Sequence, residues 1–208
     1  MKESLFRRME ERGISKKVVK AISQVQRDKF VLKEYIKDAY ADIPLPIHAQ
    51  QTISQPSTVA IMTEALEVKA GDKVLEVGSG SGYQAAILSK LIGSRGKVFT
   101  IEIIEELARF AENNISAAGI KNVETVHGDG SLGYKKEAPY DRIIVTAASP
   151  CFPEDLFKQL KENGIMVVPS GGLYTQSMLK VKKKKGRAIT QELGWFCFVP
   201  LKGKHGHR

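Results

Sequence analysis

One short stretch concentrates residues with chemical use. Glu76-Val77-Gly78-Ser79-Gly80-Ser81-Gly82 sets an acid ahead of three alternating glycines. Glycine lets a backbone turn tightly and lets a ligand lie against the peptide plane, because no Cβ intervenes. A plain strand-to-helix turn needs one glycine, so three point to a cradle. Dinucleotide loops carry GxGxxG, whereas here the third glycine arrives one residue early and serves a pyrophosphate less well. Two more acids stand downstream. Glu102 closes the next apolar run, where a carboxylate can accept from both hydroxyls of a ribose and repel a 2′-phosphate. The other reading of Glu102 is a helix start shared with Glu105 and Glu106, where acids suit the dipole. Asp129, within Gly128-Asp129-Gly130, would by itself be a turn residue. As the third strand end in succession it reads as a ligand contact.

Other chemistry is poorly supplied. Cys151 and Cys197 lie far apart without CxxC or CxxH spacing, which argues against a disulfide framework or zinc site and for a reducing cytosol. No metal is expected. His48 and His127 are candidate bases by position alone and read as packing or surface groups. His205 and His207 lie in a tail expected to fray.

The acids and glycines need strand ends to hold them. After Gly71, short apolar runs alternate with helical spacing, predicting strands at 74–77, 98–103, 123–127, 142–146 and 165–168. Helices are expected at 83–91, 104–118 and 156–160. Beyond Gly172 the helices stop, and 176–181, 188–193 and 195–201 read as strands, the first two joined by a turn at Lys185-Gly186. This order predicts an α/β fold: a mostly parallel central sheet, helices on both faces and an antiparallel C-terminal edge. Ligands of such sheets bind beyond the carboxyl ends of the strands, where Glu76, Glu102 and Asp129 fall. Ahead of the core, Ser4 is expected to cap a first helix and Ser15 a second, which carries Val18, Val19, Ile22 and Val25 on one stripe. Asp42-Ile43-Pro44-Leu45-Pro46 cannot be regular helix and reads as an ordered crossing loop. Val59, Met62 and Leu66 then keep helical spacing. One domain, 1–208, is expected, with a helical cap and proline loop at 1–56 and a ligand-binding core at 57–208.

The acid followed by GxGxG is similar to the first motif of class I methyltransferases, whose Rossmann-like core binds S-adenosylmethionine and releases S-adenosylhomocysteine. In that class the loop passes beneath the methionine portion. An acid in the place of Glu76 lies near the ammonium group, and one in the place of Asp129 reaches the adenine amino group. More specific is Gln51-Thr52-Ile53-Ser54-Gln55-Pro56, which resembles the signature of the protein-L-isoaspartate (D-aspartate) O-methyltransferases. Several further stretches look like the same family. They include Val25, Arg27, Phe30 and Val31; Tyr40-Ala41-Asp42; Gly133-Tyr134; Ala138-Pro139-Tyr140-Asp141; Thr146-Ala147-Ala148; and Gly164 to Pro169. With Val199-Pro200-Leu201 the resemblance covers nearly the whole chain.

That resemblance implies methyl transfer from S-adenosylmethionine to the α-carboxylate of L-isoaspartyl residues in damaged proteins and peptides. The ester then collapses to a succinimide, whose hydrolysis returns some aspartate. It implies cofactor contacts from Gln51, Thr52, Ile53, Glu76, Gly78, Ser79, Gly80, Ser81, Gly82, Glu102, Ile103, Asp129 and Gly130. Thr52, Ser54 and Gln176 would meet the acceptor, Ser54 matching the serine assigned the active-site role. The chain departs at Ser57, Thr58 and Val59, where some relatives carry an aromatic or histidine side chain, so no contact carries over there. A peptide α-carboxylate, with a pKa near ~3.5, is already an anion at neutral pH and needs no general base. Ser54 therefore reads as a hydrogen-bonding positioner, since direct displacement needs no covalent enzyme intermediate.

Composition narrows the rest. With 208 residues, 42% hydrophobic and 26% charged, the chain falls outside the disordered and fibrous classes. No apolar run approaches the ~18 residues of a membrane span, and the N-terminus lacks an apolar signal core. A cytoplasmic protein with no membrane partner is expected. The net charge of +9 gathers at 182–187 and at Lys202, Lys204 and Arg208, which reads as solvated surface. A nucleic-acid methyltransferase modifying base amino groups would carry Asn/Asp-Pro-Pro-aromatic after the fourth strand, where this chain has Thr146-Ala147-Ala148-Ser149-Pro150. A degenerate scaffold would have lost part of the loop, and an NAD-dependent oxidoreductase is disfavoured by the glycine spacing. The expected partners are isoaspartyl proteins and peptides, without nucleic acid, and the chain is expected to act as a monomer.

Overall fold

The computed structural model describes residues 2–207. Two helices open the chain, α1 (Lys2–Glu11) and α2 (Lys16–Ser23). Ser15 caps α2 by accepting from Val18 N, as its type predicts. Ser4 does not cap α1, because that helix begins at Lys2 and takes Ser4 into its first turn. The proline-rich segment is more regular than a loop: β1 (Leu45–Pro46) pairs antiparallel with β2 (Thr52–Ile53). Both partners are too short to leave a period-2 signal. Pro56 then opens α3 (Pro56–Ala65), where its missing N–H costs nothing.

The core alternates β3 (Lys73–Val77), α4 (Tyr83–Ile92), β4 (Lys97–Glu102), α5 (Glu105–Ala117), β5 (Val123–His127), β6 (Tyr140–Val145), α6 (Glu154–Gln159) and β7 (Leu160–Gly171), and closes with β8 (Gln176–Lys184) and β9 (Arg187–Phe196). The sheet order is β5-β4-β3-β6-β7-β8-β9. β3 to β7 run parallel, and β8 and β9 add the antiparallel edge. Period-2 alternation divides the central strands between two cores. Val74, Ile144, Ile165 and Val167 pack beneath α1 to α5, whereas Leu75, Val77, Ile143, Val145, Met166 and Val168 pack on the α6 side. The chain order reverses between β3 and β6, which opens a crevice at their carboxyl ends.

Three further boundaries differ from the sequence expectation. The strand expected at 165–168 extends back to Leu160, beyond Asn163, which takes a left-handed φ of 63°. The two strands expected at 188–193 and 195–201 are one strand ending at Phe196, with a register irregularity against β8 and Gly194 at φ 118°. Residues 199–207 are pinned rather than frayed, and Ala148 and Leu201 are joined by backbone hydrogen bonding. The lysine cluster is only partly solvated: Lys183 Nζ donates to the Phe157 and Leu160 carbonyls at 3.1 and 2.8 Å. Among the described residues no helix is long and apolar enough to cross a membrane.

Candidate active site

A cavity opens at the carboxyl ends of β3 and β4, where ligands of such sheets bind. Its floor is the glycine loop. At Gly78 φ is 95° and a Cβ would overlap the Thr146 hydroxyl. That hydroxyl donates to the Gly78 carbonyl at 2.6 Å and holds the turn. Glu102 fixes the loop from the neighbouring strand. One of its oxygens accepts from Gly80 N at 3.0 Å and the other from Ile104 N at 3.1 Å. Each carboxylate oxygen keeps a further lone pair for a ligand hydroxyl.

Glu76 is fully buried, and neither of its carboxylate oxygens has a hydrogen-bond partner. The nearby Thr100 hydroxyl lies 2.7 Å from Ser79 Oγ, and either of the two can be the donor. Burial pushes the Glu76 carboxyl up to about 8; the Thr100 hydroxyl opposes this and the Glu102 charge adds to it. A buried acid without partners is costly unless a ligand meets it.

The facing wall comes from the chain around β2. Two non-glycine residues, Ala49 and Gln50, take left-handed φ values of 54° and 57° to return the chain toward β2. Gln51, Thr52, Ile53 and Ser54 then line the cavity. Arg27 holds this wall from behind. With none of its surface exposed, it donates to the carbonyls of Ala39 and Ser54, both at 2.8 Å, and lies 5.3 Å from the Tyr83 ring centre. Burial pulls its pKa down to about 10 against the opposing charges of Tyr83 and Asp42, so the guanidinium stays protonated at neutral pH. Asp42 fixes the following helix by accepting from Ser57 N at 2.8 Å. The Ser54 carbonyl is thereby engaged, while its hydroxyl has no partner among the described residues.

The cavity unites Gln51, Thr52, Ile53, Ser54, Glu76, Gly78, Ser79, Gly80, Ser81, Glu102, Ile103 and Gly130. Three expected residues stand apart from its lining. Gly82 caps α4 at φ 84° and faces Ile115 and Ala111 of α5, so it serves helix packing. Gln176 is fully buried, donating to the Gly172 carbonyl at 2.5 Å and accepting from Phe198 N at 2.8 Å. It braces the β7–β8 turn against the tail, which argues against acceptor contact. Asp129 accepts from Ser131 N and Oγ at 2.9 and 2.6 Å and from Lys204 N at 2.7 Å. Burial pushes its pKa up, but these hydrogen bonds outweigh that and hold it below the ordinary range. In this structure Asp129 clasps the tail, and its neighbour Gly130 lines the cavity.

Tyr83, Gln84, Thr146 and the tail residues Pro200, Leu201 and Lys202 also line the cavity, and sequence reasoning gave none of them a site role. Thr146, three positions before Ser149 at the exit of a predicted strand, and Pro200-Leu201, within a family-like stretch, carried a signal. His48 is tied to Glu106 (3.2 Å) and stands edge-on to Phe110, while His127 lies 3.3 Å from the Ile103 carbonyl; neither lines the cavity.

S-adenosylmethionine fits this cavity on the structure's own terms. The unpartnered Glu76 suits an ammonium, Glu102 suits a ribose, and the glycine loop that floors the cavity suits a ligand lying against the peptide plane. Residues 1–206 match the sequence model of a family described as protein-L-isoaspartate(D-aspartate) O-methyltransferase. The chain is 48% identical over 196 residues to a protein-L-isoaspartate O-methyltransferase of Methanosarcina mazei, covering 94% of this chain and 80% of that one. It is 47% identical over 208 residues to protein-L-isoaspartate O-methyltransferase 2 of Archaeoglobus fulgidus, covering 100% and 95%. A solved protein-L-isoaspartate O-methyltransferase superposes with a TM-score of 0.91 at 34% identity, over 99% of this chain and 67% of that one. A structure from Plasmodium falciparum, described as a protein-L-isoaspartate O-methyltransferase in complex with S-adenosyl-L-homocysteine, superposes at 0.85 with 29% identity, over 97% and 98%.

Proposed function

The chain belongs to the protein-L-isoaspartate(D-aspartate) O-methyltransferase family, and from that premise we propose which of its residues carry the family's reaction. The reaction is S-adenosylmethionine-dependent methylation of isoaspartyl residues in proteins and peptides, the first step of their repair. The observation that carries the assignment is the buried, unpartnered carboxylate of Glu76 beneath a cavity whose opposite wall ends in the free hydroxyl of Ser54.

S-adenosylmethionine, when bound, supplies a methyl group on a positively charged sulfur. Glu76 meets the cofactor's ammonium, Glu102 accepts from the ribose, and the turn from Gly78 to Ser81, with Gly130, floors the pocket in which the ligand lies. Gln51, Thr52, Ile53 and Ile103 close over it and exclude water, which raises the reactivity of a less hydrated carboxylate. The acceptor arrives already ionised, so no residue needs to remove a proton. Ser54 donates a hydrogen bond that holds the acceptor in line, with Thr52 beside it. Alignment of this kind is worth about 7–11 kcal/mol in favourable cases.

Residues 1–56 act as a cover on the 57–208 core, one domain in all, working as a monomer in the cytoplasm. Two exposed free thiols, Cys151 and Cys197, accord with a reducing compartment. Two basic side chains of the hairpin make internal contacts, Lys180 with Glu67 and Lys183 with the end of α6, which leaves less charge to grip phosphates. The deciding experiment offers labelled S-adenosylmethionine with an isoaspartyl peptide, its aspartyl twin and RNA. Label should enter only the first; label in the twin or the RNA would overturn the assignment.

A further inference from the structure

The acceptor is an anion, yet the cavity floor buries two carboxyl groups, Glu76 and Glu102, and no basic side chain. An incoming carboxylate is repelled by any negative charge they keep, so its approach requires a compensating cation. Among the residues lining the cavity there is one basic side chain, Lys202. It is exposed and has no acidic partner among the described residues.

The backbone at Lys202 is fixed by an unusual amount of structure for a chain terminus. On one side Leu201 N donates to the Ala148 carbonyl at 2.8 Å, at the exit of β6. On the other, Lys204 N donates to Asp129 at 2.7 Å and His205 N to Ser131 Oγ at 3.1 Å. His207 N returns to the Leu201 carbonyl at 2.8 Å, closing the loop on itself. Gly203, at φ 118°, lies so near Asp129 that any Cβ would overlap the carboxylate. Two anchors thus flank Lys202 and hold it at the solvent side of the cavity, where an acceptor must enter.

We propose that Lys202 is the acceptor-side cation of this enzyme, engaging the isoaspartyl carboxylate at the cavity mouth while the clasped tail holds it there. The inference rests on the reading that the acceptor enters this cavity. A carboxylate is also present on the cofactor's methionine portion, so the test separates the two sources.

Lys202→Ala, Lys202→Glu and Lys202→Arg are compared with the wild type, using an isoaspartyl peptide with uncharged flanks at saturating S-adenosylmethionine. Affinity for S-adenosylhomocysteine is measured separately by calorimetry. The peptide KM should rise about two- to fivefold in Lys202→Ala, the scale of an exposed ion pair. It should rise further in Lys202→Glu and return toward wild type in Lys202→Arg. The gap should narrow between about 0.1 M and about 1 M salt as screening shortens. S-adenosylhomocysteine affinity should not move. An unchanged peptide KM overturns the proposal. So does a loss confined to S-adenosylhomocysteine affinity, which assigns Lys202 to the cofactor's carboxylate instead. A wild type that binds S-adenosylhomocysteine but leaves the peptide unmodified sinks the underlying reading and the proposal with it.

Discussion

Arg27 Nη1 donates to the Ser54 carbonyl at 2.8 Å from a side chain with no exposed surface. The same guanidinium reaches the Ala39 carbonyl at 2.8 Å and the Ile43 carbonyl at 3.4 Å, so one cation ties together the segments that precede and follow the β1–β2 turn. Only a planar fork with donors in several directions satisfies this set. The position of Ser54 therefore depends on a residue far from it in sequence.

Arg27→Lys keeps the charge but leaves at least one of these carbonyls without a partner, at a cost of about 1–3 kcal/mol. For a domain of this size that lowers the melting temperature by on the order of 2–12 °C. Methylation should slow as Ser54 loses its setting. Calorimetric melting and initial rates test both, and an unaltered melting temperature and rate would refute the clamp.

On the proposed role, Ser54→Ala removes one hydrogen bond to the acceptor and nothing from the cofactor loop. Methylation of an isoaspartyl peptide should drop by on the order of tenfold, equivalent to about 1.4 kcal/mol. S-adenosylhomocysteine affinity should remain near the wild-type value. A normal rate would clear Ser54 of any role in transfer.

Glu102→Ala removes the brace on Gly80 and Ile104 and, on the proposed role, the ribose acceptor with it. Hydrogen bonds to a charged group are worth about 1.5–3 kcal/mol, so S-adenosylhomocysteine should bind more weakly by on the order of tenfold to a hundredfold. Calorimetry decides it, and affinity within twofold of wild type would remove Glu102 from the site.

Glu76 makes the empty fold sensitive to pH. Its folded-state pKa, about 8, lies above the ordinary 4.5 because burial favours the neutral acid. The folded state thus binds the proton more tightly, and this contribution to stability is full below about pH 4.5 and lost as the pH rises to about 8. Glu76→Gln is neutral at every pH, so its cofactor-free stability should gain on the wild type between pH 5 and pH 8. Urea unfolding of both proteins at several pH values tests this, and parallel profiles would show that Glu76 titrates normally.

Gly203→Ala places a methyl group where Asp129 stands. The tail should leave its clasp and residues 202–207 should become sensitive to protease, with little loss elsewhere. Asp129→Ala should have the same effect by removing the acceptor of Lys204 N. A protected tail in both variants would contradict the clasp.

Much of the site is legible in the order of residues because its chemistry is local. Gly78 and Gly80 must follow β3 directly, and Glu76 and Glu102 sit at strand ends that the apolar runs announce. The run from Gln51 to Ser54 needs no long-range knowledge to be noticed. The same logic does not foresee where Gln176, Gly82 and Asp129 stand, apart from the cavity lining. Their types suit ligands, but each is occupied by a distant part of the chain: Phe198, Ile115 and Lys204.

By itself, the sequence determined the strand–helix alternation, the parallel core with its antiparallel edge, and which acids and glycines reach the carboxyl ends of β3 and β4. Hydrophobic period and glycine placement are properties of a few consecutive residues, so they survive without coordinates. Only the tertiary structure decided that the tail is a wall of the cavity, that Asp129 clasps it, and that Arg27 sets Ser54. Those outcomes depend on which buried donor meets which carbonyl or carboxylate across dozens of residues, a pairing made when the chain packs and absent from any local pattern.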